Sequence, residues 1–127
     1  MKILVAILII FSSSLSWAEC YVVGDLKGKA VRENDKYQFS SDSFSGQKFM
    51  VEINGEKSSV TPNDITCTEG GLNTVLCMSN TSVVTSIELW AVYPKDRKVV
   101  YSKIRTGLGA FDGGMLFVGN VLGQCGS

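Results

Sequence analysis

The chain has 127 residues, with 12 Lys plus Arg against 12 Asp plus Glu, no His, and 45% hydrophobic residues. A formal charge of zero leaves no electrostatic footprint for nucleic acid or an anionic lipid surface. Without His, Ser-His-Asp and Cys-His nucleophile systems are excluded and zinc loses its usual imidazole ligand.

Residues 1–18, MKILVAILIIFSSSLSWA, set one cation, Lys2, before an apolar block from Ile3 to Phe11 and a Ser-rich stretch. Ser16 and Ala18 fit the small-residue −3 and −1 positions of a secretory cleavage site, so a signal peptide cut after Ala18 is expected. The unbroken apolar run from Ile3 to Phe11 is well short of the roughly 20 residues that span a bilayer. Glu19 stands where a lipoprotein signal wants a small residue, so no membrane anchor is expected after cleavage. Cleavage of 18 from 127 residues leaves 109, with 11 cations and 12 anions once Lys2 is gone. That length suits one small domain over 19–127, in the periplasm or outside the cell.

Cys20, Cys67, Cys77 and Cys125 form an even set in a small exported chain, which points to two disulfides. No pair has the C-x-x-C spacing of a zinc knuckle. Of the three possible connectivities, Cys20–Cys125 with Cys67–Cys77 is expected. A first strand lying antiparallel to the last brings the start of one beside the end of the other.

Beyond residue 18, short alternating runs bounded by turn residues predict an all-β domain, a small barrel or sandwich of antiparallel hairpins. The expected strands are 20–23, 29–33, 36–40, 47–53, 57–60, 64–67, 73–78, 82–93, 98–105 and 115–123. The stretch 41–46, SDSFSG, is expected to make one helical turn at most. Asn54-Gly55 suits a two-residue type I′ turn, which sets Glu52 opposite Lys57 and Phe49 opposite Val60. Phe49, Val51 and Ile53 then share the core face. The sequon Asn80-Thr81-Ser82 is read as a chance match to the N-glycosylation pattern.

Pro94 to Arg97 makes a four-residue loop, so Tyr93 pairs with Lys98. One face of this hairpin carries Val83, Thr85, Ile87, Leu89 and Ala91 with Val100 and Ile104. The other pairs Glu88 with Lys103, Trp90 with Tyr101, and Val92 with Val99. After it come Gly107, Gly109, Gly113, Gly114, Gly119 and Gly123 around Asp112. A phosphate-binding glycine turn needs a helix after it, and none is predicted. Calcium needs six to eight oxygens, and the run offers one carboxylate. The glycines are therefore expected to bend and close the sheet.

No catalytic residue, cofactor or metal ligand is assigned. The expectation is a non-catalytic binding or inhibitor-like protein whose partner is another envelope or extracellular protein, for instance a cell-wall-degrading hydrolase such as lysozyme. Two alternatives stand beside it: a carrier of a small apolar ligand inside a barrel, and a small hydrolase using serine or paired carboxylates. Trp90, Tyr101, Arg105 and Asp112 form the candidate binding surface, because Trp, Tyr and Arg concentrate at interface hot spots. The competing reading buries the Trp90 and Tyr101 face as core.

Overall fold

Period-2 alternation of apolar residues produces nine strands in a computed structural model that describes residues 18–126. The expected signal peptide, apart from Ala18, lies outside the described residues. The strands are β1 (Glu19–Arg32), β2 (Ser40–Ser43), β3 (Phe49–Ile53), β4 (Ser59–Thr61), β5 (Thr66–Gly71), β6 (Thr74–Asn80), β7 (Thr85–Tyr93), β8 (Lys98–Thr106) and β9 (Gly113–Gln124). They pair antiparallel in the order β4-β3-β1-β9-β8-β7-β6-β5, with β2 beside β1. The sheet curls until β4 approaches β5, which makes a nearly closed barrel. The Gly55 N–H donates to Glu69 Oε2 at 3.1 Å across that seam.

The core is a row of rings on neighbouring strands. Trp90 of β7 stands opposite Tyr101 of β8, and Tyr101 opposite Phe117 of β9. Trp90 and Tyr101 have centroids 4.2 Å apart, and Tyr101 and Phe117 stack at 6.0 Å with an interplanar angle of 5°. Phe44, just after β2, closes over the row edge-on to Phe117 and Tyr101, at 5.2 and 6.2 Å. Phe49 adds a tilted contact with Trp90 at 5.1 Å. Each such ring buries roughly 150–250 Å², so this cluster dominates the burial that holds the barrel.

Both disulfides pair as expected. Cys20–Cys125 ties the start of β1 to the residue after β9, with Cα atoms 5.3 Å apart, and Cys67–Cys77 bridges β5 and β6 at 4.0 Å. The β7–β8 hairpin has the expected register throughout, from Tyr93–Lys98 to Glu88–Lys103. Phe49, Val51 and Ile53 are all buried.

Other local expectations are corrected. Residues 20–23 and 29–33 were expected as separate strands, yet β1 runs through both. A bulge centred on Asp25, at φ 57°, shifts the register and turns Leu26 into the core. The β3–β4 connection is a 3-10 turn over Gly55–Lys57 and not a type I′ pair, because Asn54 sits at φ −152°. The register moves accordingly: Val51 opposes Val60 and Glu52 opposes Ser59. Of the expected strand 36–40 only Ser40 is in the sheet; residues 36–39 leave it, since Lys36 and Tyr37 both adopt positive φ, near 53° and 58°. Residues 41–43 of the expected helical turn belong to strand β2, clipped to β1 by the Arg32–Asp42 ion pair at 2.8 Å.

The glycine run is structural. A Cβ on Gly119 would lie 2.5 Å from the Gly24 carbonyl and 2.7 Å from Leu26, so β9 and the bulged β1 approach only because that atom is missing. Gly113, at φ 142°, leaves its Cα no room for a side chain against the Val31 carbonyl. Asp112 accepts the Leu108 N–H at 2.6 Å and closes its own loop.

The disulfides enclose loops of very different size, with sequence separations of 105 and 10. In the chain-entropy model, replacing both Cys20 and Cys125 by Ser should cost about 4.8 kcal/mol, and replacing Cys67 and Cys77 about 2.7 kcal/mol. Urea unfolding of the two double variants checks that order.

Candidate functional site at the loop end of the barrel

Strand alternation puts Trp90 and Tyr101 on one face of the hairpin, and the barrel turns that face inward. Trp90 is 2% exposed and Tyr101 3%. These two residues therefore do not form a binding surface, which corrects the sequence-based candidate. The aliphatic face points outward instead, with Ile87, Leu89 and Ile104 exposed beside Leu116 and Val118 of β9. Both faces carry apolar residues, so the alternation alone could not say which was inside. The larger aromatic volume fills the barrel.

One end of the barrel holds the Cys20–Cys125 bridge and the β7–β8 turn. The other is built from three connections: 33–39 between β1 and β2, 81–84 between β6 and β7, and 107–112 between β8 and β9. Backbone contacts join these loops. The Glu33 N–H donates to the Asp112 carbonyl at 2.9 Å, and Gly107 packs against Val83 and Val84 so closely that a Cβ would collide with the Val83 carbonyl. Tyr37, Phe39, Val83, Leu108 and Phe111 project from the loops into solvent, with Phe39 at 82% exposure. Sequence reading missed this rim, because Tyr37, Phe39 and Val83 were assigned to strands. Leu108 and Phe111, large apolar residues amid turn glycines, were the available signal.

Beneath the rim, the inward positions at the ends of β7 and β8 are polar. Glu88 is 4% exposed and is paired with Lys103 at 2.9 Å. Its carboxylate also accepts the Tyr101 hydroxyl at 3.2 Å and the Asn63 side-chain amide at 2.7 Å. Burial pushes the Tyr101 hydroxyl far above its ordinary value, and the neighbouring Glu88 charge and hydrogen bond push the same way, so it stays a donor. One pair further along, Ser86 stands opposite Arg105. Ser86 Oγ and Arg105 Nε are buried and make no hydrogen bond to a described residue, and Trp90 Nε1 is in the same position. Of the sequence candidates, Arg105 thus belongs to this end of the barrel, and Asp112 lies in the loop above it with its carboxylate engaged by its own backbone. Among the described residues no group of three or more His, Cys, Asp and Glu is placed to hold a metal ion.

Lys103→Met leaves the Glu88 carboxylate without its cation in a buried position. Breaking such a pair costs about 3–5 kcal/mol; the partial exposure of Lys103 favours the lower end, and Glu88→Gln with Lys103→Met should recover most of the loss in urea unfolding. A second expectation concerns alkaline pH. Folding holds a proton on Tyr101 that the unfolded chain releases near pH 10, so stability falls as pH rises beyond that point, by up to about 1.4 kcal/mol per unit. Tyr101→Phe should flatten this decline in unfolding measured between pH 9 and 11.

No protein-family model matches the chain, and no curated protein or solved structure matches it significantly, so a functional reading rests on the geometry of this end of the barrel.

Proposed function

We propose that the chain is an exported, non-catalytic binding protein that engages another envelope or extracellular protein through the loop end of its barrel. One observation carries this reading: five large apolar side chains, Tyr37, Phe39, Val83, Leu108 and Phe111, stand in solvent on three loops that touch one another. Loops held by a rigid scaffold are where recognition residues concentrate, and an apolar cluster with aromatic members matches the core of a protein interface. The signal-peptide pattern read from the sequence of residues 1–18 supports export. Two disulfides are consistent with an oxidising compartment, the periplasm or the extracellular medium.

The carrier reading has less support, because the rings of Phe44, Phe49, Trp90, Tyr101 and Phe117 stand within contact of one another inside the barrel. An apolar ligand would have to displace them. For a hydrolase, the buried carboxylate Glu88 is already engaged by Lys103, Tyr101 and Asn63, which leaves it poorly placed to act as acid or base.

Affinity capture from an envelope extract tests the proposal. The oxidised chain should retain a partner that the Phe39→Ser, Phe111→Ser double variant loses by at least tenfold, since a single aromatic hot spot contributes about 2 kcal/mol or more. Near-UV circular dichroism from the Trp90–Tyr101 stack should stay unchanged and certify the fold. Equal capture by a folded double variant rules the loop end out. A panel of lysozymes examines the inhibitor version directly, and no inhibition by the oxidised chain eliminates it.

A further inference from the structure

We infer that the outer face of β6, β7, β8 and β9 is an interface between two copies of this chain, related by a two-fold axis that runs along the strands. The inference does not depend on what the loop end binds.

Strand alternation sends the rings inward and an aliphatic set outward. Met78, Ile87, Leu89, Ile104, Leu116 and Val118 are all exposed, with Ile104 at 63%. The ladders join them into one patch: Met78 stands opposite Ile87 and Ile87 opposite Ile104, while Ser102 links Leu89 to Leu116. None of the outward positions within 74–80, 85–91, 100–106 and 114–118 is charged. The charged residues of those segments, Glu88, Lys103 and Arg105, alternate to the inner face. An antiparallel sheet face that meets water alternates to polar residues, so an uncharged apolar face on four adjacent strands calls for a cover. The patch ends on β1, where Lys29 and Lys27 stand opposite Leu116 and Val118.

Size and symmetry favour a second copy as that cover. Strands lie about 4.8 Å apart and outward positions about 6.8 Å apart along each, so the face measures roughly 500 Å². Two such faces bury about 1,000 Å² before side-chain relief is added, the size at which a specific interface begins. An axis along the strands, between β7 and β8, lays β6 of one copy on β9 of the other and β7 on β8. Met78 then falls over Gly114 and Leu89 over Ser102, so large side chains meet small ones. Lys29 falls over Thr68, the residue of β5 opposite Leu76. An axis across the strands would instead set Lys27 and Lys29 against the same lysines of the other copy, a like-charge contact that opposes pairing. The favoured axis puts both loop ends at one end of the pair. A lipid surface would be favoured by cations around the patch, and here they line one side only.

Sedimentation velocity of the oxidised, exported chain from about 1 μM to about 1 mM tests this. The average mass should rise toward twice that of the monomer and no further. Ile104→Lys, which places a charge in the middle of an uncharged face, should weaken pairing roughly tenfold or more, as expected for a charge buried without a partner. Its near-UV circular dichroism should stay that of the folded chain, because Ile104 points away from the core. Thr68→Lys should pair several-fold more weakly than Thr68→Glu, since only the former sets two lysines together. Vesicles of phosphatidylcholine with phosphatidylglycerol supply the lipid arm, and the chain should not bind them. A chain that stays monomeric throughout overturns the inference. So does pairing that Ile104→Lys leaves unchanged, equal pairing by the two Thr68 variants, or vesicle binding that Ile104→Lys abolishes.

Discussion

A row of stacked rings on β7, β8 and β9 is the contact on which the rest of the barrel is arranged. Trp90, Tyr101 and Phe117 are nearest neighbours by strand register, so hydrogen-bonding the three strands also assembles the rings. Phe44 and Phe49 then bring β2 and β3 onto the same cluster from across the interior. A sheet whose inner face carries side chains this large at its centre has to curve around them. The small residues opposite make that curvature possible: Gly119 lets β9 approach the bulge of β1, and Asp25 at positive φ gives the bulge its turn. Rings and glycines are two parts of one packing solution.

The same packing separates the two ends of the molecule. At one end the Cys20–Cys125 bridge and the Cys125 N–H donating to the Cys20 carbonyl at 3.0 Å hold the termini of the first and last strands together. The other end has no covalent tie among its described residues, and its loops are joined through backbone hydrogen bonds and close glycine contacts. Polar side chains gather under those loops at the level where the aromatic row stops. Tyr101 belongs to both layers, with its ring in the stack and its hydroxyl on Glu88. Anything bound at the loop end therefore acts on strands already fixed by the core.

Part of this arrangement was readable along the chain. The β7–β8 hairpin could be counted out because Pro94 fixes the turn, and an ion pair and an aromatic pair then fall opposite each other together. The disulfide pairing was expected from one argument, that a first strand antiparallel to the last sets Cys20 beside Cys125 and leaves Cys67 to Cys77, and the structure has that pairing. The β3–β4 turn was misjudged because Asn-Gly favours a two-residue turn only when nothing else competes. Here Ser58 Oγ donates to the Gly55 carbonyl at 2.7 Å and accepts the Asn54 N–H at 2.9 Å, which stabilises a longer 3-10 connection. Tyr37 and Phe39 were misplaced for a related reason. They alternate like strand residues, but alternation carries no record of whether a partner strand is beside them.

By itself the sequence determined the all-β class, the two bridges, the hairpin register and the structural role of the glycines. Each of these depends on residues close in sequence or on a simple end-to-end constraint. Only the tertiary structure decided which face of that hairpin is inside, since both faces are apolar and the choice depends on how much ring volume a closed sheet can enclose. It also decided that Tyr37, Phe39, Val83, Leu108 and Phe111 share one end, and that Ser86 and Arg105 meet beneath them. Residues 37 and 111 are far apart along the chain. Closure of β1 against β9 brings their loops together, and no local pattern encodes that distance.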